Sequence, residues 1–591
     1  TLALGCASSA RAEDAPAKSP VPDRVFHIQL WDGQKTGWKE ENLKDLRDTG
    51  FTVIQNGWRD SLFPSLQTLT KIENAGLLYG AYIDTRRLFV QESDPQEKVK
   101  LRFTINSDGV QEKGEYNTLD PTYHKVVARA MAKELQRIST SPAFFKIMLN
   151  SERNAPISYD AFTVAAAVEA GALDEGKKIP LYARGVAHHM ELADMSADRI
   201  CDFLRWWDSV GGDNAINRVA AAAAQEARPG VLVTSDPLRD GYTYGQYSGM
   251  DILQDWVRVH QAPRDPLSIA YRVERLKSHV RRNGTGEIWI GPQLGTKNDI
   301  RVYATPADIF QEALYLAVGF GARGITLWGY DTVRRGDPLD DDTWSRVRRF
   351  RADIDGRYRP LVTAVDAPRK CAVLLSKANM VLSERPYYEI DDNYETFYRV
   401  LLTAHIPTDV IYDDDVLDGA LMRYKAVFMP GIDKVTRAVD IKIIEYEAAG
   451  GKSIKWDRLL PRYADYEITK DNVDEDLDVS KPSGTFMLPH QYRHWRALQA
   501  QALYQKVADL MDVRVDNPDV IMNVIEIDGK RHAFLVNDSR TYGRWTAERM
   551  YRWCEDEGRA ATAVVSTGHG ADEKNITVRL DAAGTALVPL D

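Results

Sequence analysis

The chain has 591 residues, 44% of them hydrophobic and 27% charged, with a formal net charge of −10 at pH 7. That length and balance describe several globular domains with sizeable cores. The acidic surplus excludes a nucleic acid as main partner, so a basic stretch such as "RVRRFR" (346–351) reads as a solvated helix face.

The first element is a leader. "TLALGCASSARAEDAPAKSPVPD" begins without methionine, which predicts a precursor start further upstream. Its apolar stub runs into Ala10-Arg11-Ala12, an A-x-A pattern suited to signal peptidase, and then into an Ala/Pro/Ser stretch. Gly5-Cys6 offers a lipoprotein cleavage site instead, with Cys6 as the lipidated first residue. Either way, residues 1–22 are an export remnant and linker, and the expected location is the periplasm, the outer membrane or the exterior. No later stretch reaches about 18 consecutive apolar residues, so no spanning helix is predicted.

From 23 to 362 short apolar strands alternate with helical stretches. The strands are "RVFHIQLWDG" (24–33), "FTVIQNGWRD" (51–60), "LLYGAYIDTRR" (77–87), "FFKIMLNSERN" (144–154), "VLVTSDPLRDG" (231–241), "MDILQDWVRVH" (250–260), "EIWIGPQLG" (287–295) and "GITLWGYDT" (324–332). Helical patterns such as "TYHKVVARAMAKELQRI" (122–138) and "IAYRVERLKSHVRRN" (269–283) lie between them. Eight such units predict an α/β fold, a closed (β/α)8 TIM barrel, with a helical insertion over 160–228.

"DAPRK" (366–370) marks a boundary. Beyond it "CAVLLS", "TDVIYDDDV", "AVFMPGI" and "GKSIKW" predict a small flavodoxin-like α/β domain, which a linker and the helix "HWRALQAQALYQKVADLM" extend over 366–515. Residues 518–591 alternate like hairpin strands and form a β-rich end. Amidotransferase chemistry in the middle domain would need a cysteine on a sharp turn after a central strand, and Cys371 opens a strand instead. Cys6, Cys201, Cys371 and Cys554 have no metal spacing, His188 and His189 lack a third ligand, and no G-x-S-x-G elbow is present. Neither metal nor cofactor is expected.

A (β/α)8 barrel carries its site at the C-terminal ends of the strands. Those ends supply Trp31 and Asp32; Trp58 and Arg59; Asn150, Glu152 and Arg153; Asp255 and Trp256; Gln293; and Trp328, Tyr330 and Asp331. Aromatic faces stack on sugar rings while carboxylates, amides and guanidinium groups bond hydroxyls, so this mouth suits a carbohydrate. Cleaving a glycosidic bond takes two carboxyl groups, about 5 Å apart for retention or about 6.5–9.5 Å for inversion. Glu152 is the candidate general acid. Asp255 is the candidate second carboxylate, with Asp331 and Asp236 behind it. Arginines at the strand ends (Arg59, Arg86, Arg87, Arg239, Arg258) suit an acidic sugar or pairing with neighbouring aspartates.

With "NSERN" ending strand four and "ITLWGYD" as strand eight, the barrel resembles the glycoside hydrolases whose acid/base follows strand four. The downstream "CAVLLS…AVFMPGI…GGKSIKW" resembles the amidotransferase-like middle domain of the family 42 β-galactosidases. The resemblance implies a sugar-cleaving enzyme with Glu152 as acid/base, Trp328 in the sugar subsite, a homotrimer built through the middle domain and a small C-terminal β-sandwich. That family places its nucleophilic glutamate at the end of strand seven, where this chain has Gln293. Three readings follow: an amide variant of the nucleophile, use of another carboxylate such as Asp255, or a non-catalytic sugar-binding lipoprotein on an enzyme's fold.

Overall fold

The computed structural model describes residues 25–31, 39–56, 63–151, 156–180, 195–235, 247–257, 259, 266–284, 286–292, 295–298, 301–304, 307–328, 339–383, 387–456, 489–541, 557–568 and 573–591. Eight parallel strands close into a barrel: β1 (His27–Trp31), β2 (Val53–Gln55), β3 (Leu78–Ile83), β4 (Phe144–Leu149), β5 (Leu232–Ser235), β6 (Ile252–Val257), β7 (Glu287–Pro292) and β8 (Gly324–Trp328), with β1 pairing β8. Each falls inside one of the apolar runs read from the sequence. Their outward residues, such as Leu30, Ile54, Ile147 and Leu327, are buried beneath the helix ring.

Those helices include α1 (Pro121–Arg137), α2 (Gly212–Ala227), α3 (Leu267–Asn283) and α4 (Ala307–Gly319). Helix α2 packs against α1 as an ordinary barrel helix, so the last part of the predicted insertion belongs to the barrel ring. Another departure is an antiparallel hairpin, Phe103–Ile105 with Gln111–Tyr116, between β3 and α1.

Helix α3 is unusual for a barrel helix, because every residue from Leu267 to Leu276 is buried. One side lies on β6 and β7, and the other receives strand Thr408–Tyr412 and helix α5 (Tyr387–Thr403) of the middle domain. Arg281 and Arg282 sit in its last turn, where cations suit the helix dipole. Gly284 ends it at φ 70°, a left-handed turn that glycine makes without strain.

The middle domain has a parallel sheet of Cys371–Leu375, Thr408–Tyr412, Ala426–Pro430 and Lys452–Trp456, in the order second, first, third, fourth. At the C-terminal end a four-stranded sheet (Val365–Asp366, Val520–Ile527, Lys530–Asn537, Thr585–Pro589) faces a three-stranded one (Val513–Val515, Ala561–Thr567, Lys574–Leu580). Met522, Leu535, Ala563 and Val565 fill the space between them. The predicted boundary therefore holds an edge strand, Val365–Asp366, of the last domain.

Arg369, just past that strand, ties all three parts together. It bonds Glu274 of α3 (2.7 Å), Asp409 of the middle sheet (3.3 Å) and Asn523 of the C-terminal sheet (3.2 Å), and Asp366 lies 3.1 Å away. Among the described residues no helix is long and apolar enough to cross a membrane.

Candidate active site

Alternation along each strand sends every second residue into the barrel lumen. The lowest layer is apolar and aromatic: Val53, Ile252 and Trp289 pack together, and His27 stacks on Trp289 with centroids 5.5 Å apart. Burial, with Arg351 and Lys146 adding to it, pulls the His27 pKa down to about 4, so this ring is neutral at pH 7.

Above lies a polar layer. Gln29 Nε2 donates to Gln55 Oε1 (3.2 Å), Gln55 Nε2 to Met148 Sδ (3.0 Å), and Lys146 Nζ to Gln254 Oε1 (3.0 Å). The Lys146 ammonium also stands 4.7 Å from the centroid of the Trp289 ring, a cation–π arrangement. Gly80 makes room for this lysine, because a Cβ there would come within 3.1 Å of Lys146 Cγ and Cε. A charged side chain inside "FFKIML" signals this layer in the sequence, since residue 146 shares a face with 148.

The uppermost layer forms the floor of the mouth. Trp31, Tyr82 and Met148 pack together there, with the two rings 6.5 Å apart. Asn56 Oδ1 accepts the Tyr82 backbone N–H at 2.6 Å and so fixes the tops of β2 and β3. The buried Trp31 indole N–H meets no acceptor among the described residues. Trp256 is half-buried on the lumen face of β6, opposite Gly291. Tyr82 escaped the sequence reading, although its parity with Gly80 places it on that face.

Asn150, just past the end of β4, has φ 44°, a left-handed conformation that asparagine tolerates better than most residues. Its Oδ1 accepts from the Thr85 N–H (3.0 Å) and Oγ1 (3.1 Å), and its Nδ2 donates to Asn217 Oδ1 on α2 (2.7 Å). The side chain is buried and already engaged, which corrects its assignment to substrate binding. It ties the end of β4 to Thr85, just past β3, and to α2.

Asp255 needs a larger correction. Its neighbours Gln254 and Trp256 face the lumen, so its carboxylate points outward to α3. There Oδ2 lies 3.6 Å from Arg272 Nη1, while Oδ1 accepts the Trp256 N–H at 2.7 Å. An outward, buried, arginine-paired carboxylate cannot reach a substrate in the mouth.

Of the strand-end arginines, Arg86 contacts Asp84 (3.4 Å) and Glu115 (2.7 Å), which fits pairing with acids rather than with an acidic sugar. Asp32, Trp58, Arg59, Glu152, Arg153, Asp236, Arg239, Arg258, Gln293, Tyr330 and Asp331 lie outside the described residues. So does the Trp328 side chain, although its backbone ends β8.

Open α/β sheets take ligands outside the carboxyl ends of their strands, where the strand order reverses. In the middle domain that place is filled by its own polar groups: Asn379 donates to the Gly431 carbonyl (3.0 Å) and accepts the N–H groups of Asp433 and Lys434 (2.9 and 3.1 Å). Burial pushes the Cys371 thiol up to about 12, far from a nucleophile's range.

No protein-family model and no curated sequence matches the chain. Solved structures do, over nearly the full length. A cold-adapted β-galactosidase from Rahnella sp. R3 is 12% identical, with TM-score 0.59 and coverage of 96% of this chain and 98% of that one. The α-L-fucosidase isoenzyme 2 from Paenibacillus thiaminolyticus is 13% identical, at 0.60, with 96% and 100% covered. A β-galactosidase from the Antarctic haloarchaeon Halorubrum lacusprofundi is 13% identical, at 0.59, with 95% and 98% covered. At such identities the likeness is one of fold, and it extends over all three parts of the chain.

Proposed function

We propose that the chain is a glycoside hydrolase acting on an oligo- or polysaccharide, with Glu152 protonating the leaving glycosidic oxygen. The observation that supports this best is the mouth itself: an aromatic floor of Trp31 and Tyr82, with Trp256 on the lumen face of β6, at the C-terminal end of a closed barrel where "NSERN" follows β4 in the sequence. The shared fold with a fucosidase and β-galactosidases makes β-galactosides and α-L-fucosides the first substrates to try. With Asp255 turned outward, Asp331 and Asp236 become the candidates for the second carboxylate.

Gln293 favours one other reading, a sugar receptor without turnover, because it stands where the resemblance implies a nucleophilic glutamate. One experiment tests both: an aryl-glycoside and glycan panel run with the native chain, Glu152→Gln and Gln293→Glu. Turnover abolished by Glu152→Gln supports the enzyme, whereas turnover by Gln293→Glu alone marks the native chain as disabled. Binding without cleavage by any of the three marks a receptor.

The proposal includes export, by cleavage at Ala10-Arg11-Ala12 or with Cys6 as a lipid anchor, and a homotrimer through the middle domain. The exposed Met422, Ile441 and Ile444 on that domain are compatible with a contact surface. Light scattering at several concentrations measures the assembly.

A further inference from the structure

The corrected position of Asp255 opens a different role for it. Its Oδ1 holds the Trp256 N–H at 2.7 Å, and its Oδ2 faces Arg272 of α3 at 3.6 Å. On its other side Arg272 faces Glu395 of α5, in the middle domain, at 3.7 Å. Glu395 is itself held from two directions, by the Ser268 hydroxyl at 2.6 Å and by Arg399 one turn along α5. Every side chain in this chain of contacts is buried. One turn further along α3, Arg275 and Asp391 repeat the pairing at 3.5 Å.

Arginine pairs this deeply buried have few alternative arrangements, since a displaced partner leaves a charge without water or counter-ion. A shift of α5 is therefore passed to Arg272, from there to Asp255, and so to the backbone that carries Trp256.

We infer that Glu395, through Arg272 and Asp255, is a positioning residue that sets the sugar-stacking Trp256 at the mouth, so that the middle domain is part of the substrate site. This rests on the reading of the mouth as a sugar site, and the test separates the two. Native chain, Glu395→Gln, Trp256→Ala and the double variant are assayed for KM and kcat with 4-nitrophenyl β-D-galactopyranoside and 4-nitrophenyl α-L-fucopyranoside. The same proteins, without substrate, are followed by amide hydrogen exchange.

Glu395→Gln is expected to raise KM about tenfold, with kcat within about twofold of native. It should add nothing once Trp256 is alanine, and exchange should quicken in β6 while β1 and β3 keep their native rates. A merely structural glutamate would lower stability without that split or that loss of additivity. Unchanged KM and unchanged β6 exchange overturn the proposal, as does an effect that adds in full to Trp256→Ala.

If the native chain cleaves neither glycoside, the reading of the site fails for these substrates and the exchange measurement alone decides. Quickening confined to β6 then supports the coupling, and none, or an even rise over the barrel, overturns it. Should Glu395→Gln fail to fold, Arg272→Lys, which keeps the charge but shortens its reach, carries the same readouts.

Discussion

Replacing Arg369 with methionine tests how the three parts of the chain are held. The guanidinium is buried, and three carboxylates converge on it: Glu274 at 2.7 Å, Asp366 at 3.1 Å and Asp409 at 3.3 Å. Burial alone would favour the neutral arginine, but Asp366, Glu274 and Asp409 outweigh it and hold the group well above its ordinary range, so it is charged in the fold. Methionine fills similar space and removes the charge. Lys277, at 2.7 Å from Glu274 and 2.5 Å from Asp366, is left to serve both acids. Removing one partner of a buried pair costs about 3–5 kcal/mol, and that is the expected loss in chemical denaturation.

The origin of the loss is checked by a cycle with Glu274→Gln. In the native chain that change should be costly; with Met at 369 it should cost at least about 1 kcal/mol less, because it removes an acid that has lost a counter-ion. A loss below about 1 kcal/mol for Arg369→Met, or additive changes at the two positions, would refute the account of Arg369 as the joint between domains.

Gly319→Ala should loosen the C-terminal domain, since its Cβ would fall 2.1 Å from the Phe534 ring; a loss of about 1–3 kcal/mol and earlier proteolysis after residue 510 are expected. Asn150→Ala strands the Thr85 N–H and the Asn217 amide, and should cost about 2–3 kcal/mol by thermal or chemical denaturation. His405 tests the pH dependence. Burial holds its pKa near 4, against 6.5 when unfolded, and its Nε2–H donates to the Val520 carbonyl at 2.8 Å. The unfolded ring binds a proton that the folded ring refuses, so its contribution is complete above 6.5 and is lost as pH falls towards 4. His405→Asn should therefore flatten the fall in stability across that window by about one proton; an unchanged slope would show that the ring titrates normally in the fold.

Much of the fold was legible because parallel strands buried on both faces leave continuous apolar runs, and all eight barrel strands lie in such runs. The same physics hid the orientation of side chains. In "ILQDWV" Gln254 and Asp255 are adjacent and both polar, yet one enters the lumen and the other turns to Arg272, because each face has its own buried polar partner. Polarity alternation could not tell them apart; parity with Lys146 and Met148 across the barrel does. The hairpin Gln111–Tyr116 was missed because "QEKGEY" is polar and exposed enough to read as loop. Two-residue Val365–Asp366 carries no pattern at all and becomes a strand only through its neighbour.

Helix α3 has a bearing on how the protein is made. About a hundred residues separate its end at Asn283 from the start of α5 at Tyr387, so during vectorial synthesis its outer face emerges long before the helix that covers it. At ordinary translation speeds that interval is on the order of 5–20 s. Throughout it Ser268, Tyr271, Arg272 and Arg275 stand without their partners from α5, on a barrel whose last two strands are only then leaving the ribosome. The nascent chain thus passes through an obligatory sticky stage, one that a holdase would protect and that synonymous codon changes between 284 and 403 would lengthen or shorten.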